Sequence, residues 1–261
     1  MVSAMRSARS VFFAGAMALA LSAGPAWAGL IIQGTRVIYP AAAREASVQI
    51  RNTGSLPVLM QSWIDDGRLE LTPEQVKVPF TVSPAVGRVD PDNGAVLRIV
   101  YMQEPLPTDR ESVFWLNVVE VPARPKDEEN VLQLSYRTRI KIFFRPKNLG
   151  GDADSAPDKL TWEIASRQDV SSIDAGNATG GGANNLLEVI NPTPYYVSFG
   201  DVEIKVDGKF ISAGNGMVAP FGRETFAVAG GILEKKKPAA VRYEIINDYG
   251  GRRVIEKVLA K

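Results

Sequence analysis

Short runs in which apolar and polar residues alternate, separated by Gly, Pro, Asn and Asp, dominate the chain from Leu30 onward. Alternation with period two puts every second side chain on one face of an extended strand, and the separating residues are those that favour turns. Leu30 to Tyr39 predicts one extended, β-rich stretch. Ala46 to Arg51 predicts a strand with Val48 and Ile50 on one face. Val58 to Ile64 predicts another, after the turn-like Asn52-Thr53-Gly54-Ser55, and Phe80 to Ser83 a short one. Ala95 to Met102 follows Asp90-Pro91-Asp92-Asn93-Gly94, Ser112 to Val121 is a long buried-looking strand, and Val131 to Phe144 is the longest. These are about seven strands, the count of an immunoglobulin-like sandwich. Arg145-Pro146-Lys147-Asn148 breaks the pattern, and the polar Gly150 to Pro157 suits a linker or exposed loop. A second β-rich region predicts strands at Leu160 to Ile164, Leu186 to Ile190, Tyr195 to Phe199, Val202 to Val206, Glu224 to Val228, Ala240 to Ile246 and Val254 to Leu259. Gly176 to Asn185 reads as a flexible loop. No later segment sustains a helical period. The expected architecture is all-β, with a sandwich domain over 29–146 and a second over 147–261.

The N-terminus follows another pattern. Arg6 and Arg9 precede an apolar run from Val11 to Ser22, and Ala26-Trp27-Ala28 has the small-x-small form of a cleavage site. Residues 1–28 therefore read as a signal peptide, cleaved after Ala28 for export to the periplasm. No later segment is apolar enough to span a bilayer, so the exported protein is not expected to be membrane-embedded.

Charge and composition narrow the chemistry. The 261 residues carry 30 Lys and Arg against 29 Asp and Glu, a net +1, which gives no long-range pull toward nucleic acid. The sequence has no cysteine and no histidine, which removes thiol chemistry, disulfides, Cys/His zinc sites and Ser-His-Asp triads. No catalytic residue, metal site or cofactor is expected. Gly180-Gly181-Gly182 lacks the Lys-Ser/Thr of a phosphate-binding loop. Asp65-Asp66 and Asp90-Pro91-Asp92 do not continue into loops with enough oxygen ligands for calcium and read as turns. Asn177-Ala178-Thr179 fits a glycosylation sequon by coincidence.

The strand Val131 to Phe144 is more informative. Leu132, Leu134 and Tyr136 share one parity with Ile140, Ile142 and Phe144, opposite Gln133, Ser135, Arg137, Arg139 and Lys141. Periodicity alone favours an ordinary strand with one core face and one wet face. The functional reading places its first part along a sheet edge, with Leu132, Leu134 and Tyr136 projecting as a row of apolar plugs.

The run Leu106-Pro107-Thr108-Asp109-Arg110-Glu111-Ser112-Val113-Phe114-Trp115-Leu116-Asn117-Val118-Val119-Glu120-Val121-Pro122 resembles the signature of the periplasmic pilus (fimbrial) chaperones, the PapD-like family. Asn130-Val131-Leu132-Gln133-Leu134 leading into Thr138 to Pro146, Asn191-Pro192-Thr193-Pro194-Tyr195-Tyr196-Val197, and Ile246-Asn247-Asp248-Tyr249-Gly250-Gly251 fit the same family in the same order. The resemblance implies two immunoglobulin-like domains set in an L with a cleft between them. It implies pilus subunits and an outer-membrane usher protein as partners. The position-by-position match assigns Arg36 and Lys141 to hold the subunit's terminal carboxylate, and Leu132, Leu134 and Tyr136 to plug the subunit's open groove as the chaperone lends an edge strand. It assigns Glu111, Arg145 and Asp248 to a charged cluster tying the domains together. The short connection Pro122 to Asn130 resembles the short-loop branch. Lys141 has the opposite parity from the plugs, so strand twist or a bulge is expected to reconcile them. Self-association through the same strand is one way to cover the exposed row. A secreted two-domain sandwich that binds carbohydrate is the alternative, but it needs an exposed aromatic platform that the strand patterns do not suggest.

Overall fold

A computed structural model describes residues 29–123, 133–166, 185–228, 232–235 and 238–259. The expected signal peptide at 1–28, Leu132, and all of the Gly176 to Asn185 stretch before Asn185 lie outside them.

The chain forms two β-sandwiches of immunoglobulin-like type. The first contains β1 (Leu30–Ile32), β2 (Arg36–Pro40), β3 (Ala46–Asn52), β4 (Val58–Asp65), β5 (Phe80–Ser83), β6 (Val86–Val89), β7 (Gly94–Tyr101), β8 (Ser112–Pro122) and β9 (Tyr136–Arg145). One sheet has the order β1-β3-β7-β5 and the other β2-β9-β8-β4-β6. Alternation does what the sequence requires of it: Val48 and Ile50, Val58 and Met60, and Ile140 and Ile142 are all buried between the sheets. At the centre Tyr39, Phe80, Tyr101, Phe114 and Phe144 pack ring against ring, with Tyr39 stacked on Phe144 at 6.1 Å. The buried Tyr39 hydroxyl donates to the Arg44 carbonyl at 3.1 Å and accepts from the Tyr101 N–H at 3.2 Å, so its polar end is satisfied.

The expected single stretch from Leu30 to Tyr39 is two strands in different sheets. β1 pairs with β3, and β2 pairs in parallel with β9. The chain crosses between sheets at Gly34, whose φ of 98° lies in the left-handed region that glycine enters without Cβ strain. This crossing decides the geometry of the site. β2 meets β9 only from Arg36↔Lys141 to Pro40↔Arg145, whereas β8 pairs with β9 along its length, from Ser112↔Phe144 to Glu120↔Tyr136. Among the described residues, no strand pairs with Tyr136 to Ile140 on the side away from β8.

The second sandwich contains β10 (Thr161–Ser166), β11 (Asn185–Ile190), β12 (Val197–Val206), β13 (Lys209–Val218), β14 (Arg223–Phe226), β15 (Ala240–Ile246) and β16 (Arg252–Val258), in sheets ordered β10-β11-β14 and β13-β12-β15-β16. Trp162, Phe199, Phe226 and Tyr243 form its aromatic centre. The strands expected at Tyr195 to Phe199 and Val202 to Val206 are one strand, β12, in which a bulge between Phe199 and Val202 absorbs the break in alternation. A 3₁₀ turn at Ala156–Lys159 and a one-turn helix at Ile232–Lys235 complete the described secondary structure. Ala156 and Pro157 are buried, so the end of the polar stretch expected to be a linker or exposed loop is anchored on the second core.

Candidate functional site

The outward face of β9 carries Arg137, Arg139, Lys141, Phe143 and Arg145 in succession. The acids that meet this row divide it. At one end Arg145 Nε donates to Glu111 Oε1 at 2.6 Å, and its Nη1 and Nη2 reach Asp248 Oδ2 and Oδ1 at 2.7 and 3.0 Å. The fork-on-carboxylate geometry joins the first sandwich to the turn between β15 and β16 of the second. Glu111 is buried and also accepts the Tyr196 N–H at 2.8 Å, while its own N–H donates to the Pro194 carbonyl at 2.9 Å. Burial pushes the Glu111 carboxyl above its ordinary range against the pull of Arg145, and the two acids hold the Arg145 guanidinium charged. Phe143, although it points out of its own sandwich, is buried because Tyr196 packs on it at 5.7 Å. The structure thus brings Glu111, Arg145 and Asp248 together across the junction.

Removing Arg145 leaves Glu111 as a buried acid without its countercharge, a change worth about 3–5 kcal/mol. Arg145→Ala is expected to lower the melting temperature and to split one calorimetric transition into two as the sandwiches uncouple. A single unshifted transition contradicts this.

At the other end of the row, Arg137 and Arg139 share Asp65, the last residue of β4. Lys141 and Arg36 lie between these two compensated groups. They are register partners in the parallel β2–β9 ladder, so both side chains emerge on the same face. Arg36 Nη1 donates to the Ile246 carbonyl at 2.8 Å, and its guanidinium lies 5.8 Å from the Phe143 ring centre. Its Nε is buried without a partner. Among the described residues, neither Arg36 nor Lys141 forms an ion pair. Burial, and then the charge of Arg36, pull the Lys141 ammonium below the ordinary lysine range. Burial likewise lowers Arg36, with Asp248 opposing from a distance. Two partly desolvated cations therefore stand side by side, one with an unused buried donor, and a nearby anion would relieve both. Arg36 also lines the crevice between the sandwiches, with Phe143, Tyr196, Ile246 and Asp248.

Leu134 and Tyr136 stand on the opposite parity and are exposed, at 51% and 58%, while Ile140, Ile142 and Phe144 farther along are buried in the core. One row of side chains therefore begins beyond the sandwich and ends within it. Of the two expected ways to reconcile the plugs with Lys141, strand twist or a bulge, the bulge is not there: the β8–β9 register is unbroken from Tyr136 to Phe144. Tyr136 and Lys141 face opposite ways on a regular strand, because one row continues the core and the other faces the junction.

The sequence reading missed Asp65, Asn117, Trp63 and Trp115, which surround Arg137 and Arg139 on the outward face. Asp65 does make the turn expected of it, accepting the Gly67 N–H at 2.8 Å, and Arg68 pairs with Asp66. Its distant partners left no local mark. One face of each indole is taken by a guanidinium, at 4.8 Å for Trp63 and 5.4 Å for Trp115, so the rings do not form the open platform a sugar needs. Among the described residues, no group of acids is arranged to hold a metal ion, and no helix is long and apolar enough to cross a membrane.

Residues 29–150 match the family described as pili and flagellar-assembly chaperone, PapD N-terminal domain, and residues 155–257 match the pili assembly chaperone PapD, C-terminal domain. The chain belongs to the pilus-assembly chaperones. Among curated relatives of this chaperone, the Chaperone protein FimB/FhaD of Bordetella pertussis is 42% identical over 243 residues, 91% of each chain. Among solved structures, the CupB2 chaperone of Pseudomonas aeruginosa is 47% identical with a TM-score of 0.70, covering 88% of this chain and 100% of that one. A chain from the complex of SafA pilin with the SafB chaperone of Salmonella enterica is 29% identical with a TM-score of 0.68, covering 91% of this chaperone and 99% of that chain. The family places the chaperone in the periplasm and in the handling of pilus subunits.

Proposed function

We propose that this chaperone captures a pilus subunit by lending it the free edge of β9 and by binding the subunit's C-terminal carboxylate at Arg36 and Lys141. The observation that carries the reading is the place where β2 begins. Tyr136 to Ile140 offer backbone groups to a new strand, and β2 occupies the same edge from Lys141 onward. A guest strand running parallel to β9 ends where β2 starts, with its carboxylate facing Arg36 and Lys141. A guest running antiparallel brings its polypeptide in the opposite direction and presents no terminal carboxylate to the two cations. Main-chain pairing supplies affinity, and Leu132, Leu134 and Tyr136 enter the apolar groove of a subunit that lacks one strand. The complex of SafA pilin with the SafB chaperone supports a subunit as the guest.

Glu111, Arg145 and Asp248 fix the angle between the domains, and therefore the position of Arg36 against Ile246 beside the anion site. We assign residues 1–28 to a signal peptide cleaved after Ala28, 29–146 to the strand-lending domain and 147–261 to the second domain, with an outer-membrane usher receiving the complex. Binding needs no nucleotide or metal, because folding of the subunit on the lent strand drives it. The test is mass spectrometry of material co-purifying from periplasm. A stoichiometric pilus subunit is the expected companion, and a glycan in its place would favour the carbohydrate-binding alternative.

A further inference from the structure

Asp65 sits on the outward face of the five-stranded sheet, where solvent could hydrate it, yet it is only 1% exposed. It accepts from Asn117 Nδ2 at 2.7 Å, Arg137 Nη2 at 3.2 Å and Arg139 Nη2 at 2.5 Å. Arg137 Nε donates to Asn117 Oδ1 at 2.8 Å, closing the network across β4, β8 and β9. Trp63 and Trp115 carry the two guanidiniums from behind. Arg139 Nε is buried without a partner, so the network is not fully satisfied. Burying an acid beneath two arginines that keep part of their solvent contact is weak as a source of stability and is better explained as fixing one geometry. The sandwich core lies on the other face and does not require it.

The network's position supplies the reason. Arg137 and Arg139 lie within the one stretch of β9, Tyr136 to Ile140, that has a strand on only one side among the described residues. A half-paired strand frays and twists more readily than one flanked on both sides. Holding two alternate side chains from behind fixes the pleat while leaving the edge open. The same acid also keeps two cations engaged that would otherwise add to the field at Lys141.

We propose that Asp65 is a positioning residue for strand lending: through Arg137 and Arg139 it holds the unpaired half of β9 in the extended geometry a guest strand must meet. Asp65 is buried and does not touch the guest. The inference rests on the strand-lending reading above, and its test separates the two. Asp65→Asn alone leaves two arginines uncompensated and lowers the melting temperature whatever its role. The decisive variant is therefore Asp65→Asn/Arg137→Gln/Arg139→Gln, in which the charges are removed together and the melting temperature returns to that of the wild type.

Hydrogen exchange is followed in the free full-length protein and in the presence of a pilus subunit, with the rate of subunit capture measured in parallel. In the free triple variant, the amides of Tyr136 to Ile140 that bond to β8 are expected to exchange at least about tenfold faster than in the wild type, with Lys141 to Arg145 unchanged. Capture is expected to slow about tenfold. Wild-type exchange at Tyr136 to Ile140, or acceleration spread evenly over the sandwich, overturns the positioning role. If wild-type β9 gains no protection when the subunit binds, strand lending itself fails, while the free-protein comparison still reports whether Asp65 orders the strand.

Discussion

Lys141→Met is expected to abolish subunit capture and to leave the free chaperone at least as stable as before. Losing one partner of a desolvated charge contact costs about 2–5 kcal/mol, roughly 30-fold to several-thousand-fold in affinity. The stability half follows from proton linkage. Burial and Arg36 lower the Lys141 pKa in the folded protein, so between that value and the ordinary lysine value the unfolded chain binds more protons. Stability then rises with pH through this window, and at neutral pH the charged ammonium is a cost to the free fold. Methionine keeps the stem and removes the cost. Arg36→Ala should also abolish capture, but it deletes the hydrogen bond to Ile246 and loosens the junction as well. Equilibrium binding and thermal melting of Lys141→Met decide the matter: wild-type affinity removes the anchor, and a large drop in melting temperature makes Lys141 structural.

Leu134→Glu has an effect of similar size with a different signature. Leu134 is 51% exposed in the free protein, so a carboxylate there stays hydrated and the melt should shift by little. In the proposed complex the same carboxylate would enter an apolar groove, at a cost large enough to prevent capture. Ile142 is the control. It has the same parity eight residues on and is fully buried, and Ile142→Ala should cost about 2–5 kcal/mol of stability by opening a cavity. Unfolding by Leu134→Glu would place it in the core and exclude it as a plug.

The contrast between these positions shows where the sequence was readable. Alternation located β5 and β15 at their observed ends, because each is a short run with one buried face. It did not reveal the crossing at Gly34, since side-chain parity does not record which sheet a strand joins. β6 and β13 went unseen for a related reason. Val86–Val89 has only Val89 buried, and Lys209–Val218 carries two glycines and few inward apolar residues. The motif match named Arg36, Lys141, Glu111, Arg145 and Asp248, and the structure places them in two adjoining groups. The long-range role of Asp65 escaped notice because its partners are 52, 72 and 74 residues away, while its turn with Gly67 accounted for it locally. Two arginines at alternate positions of one strand, opposite a strand bearing tryptophan and asparagine, were the available hint.

The strand-lending account is tested most directly by amide exchange along β9 with and without a bound pilus subunit. The backbone groups of Tyr136 to Ile140 that point away from β8 have no partner among the described residues. Binding should slow their exchange by orders of magnitude, ending where β2 takes over at Lys141, because a guest strand pairs with them. Unchanged exchange in a complex that still forms would contradict the account and move the contact to another surface.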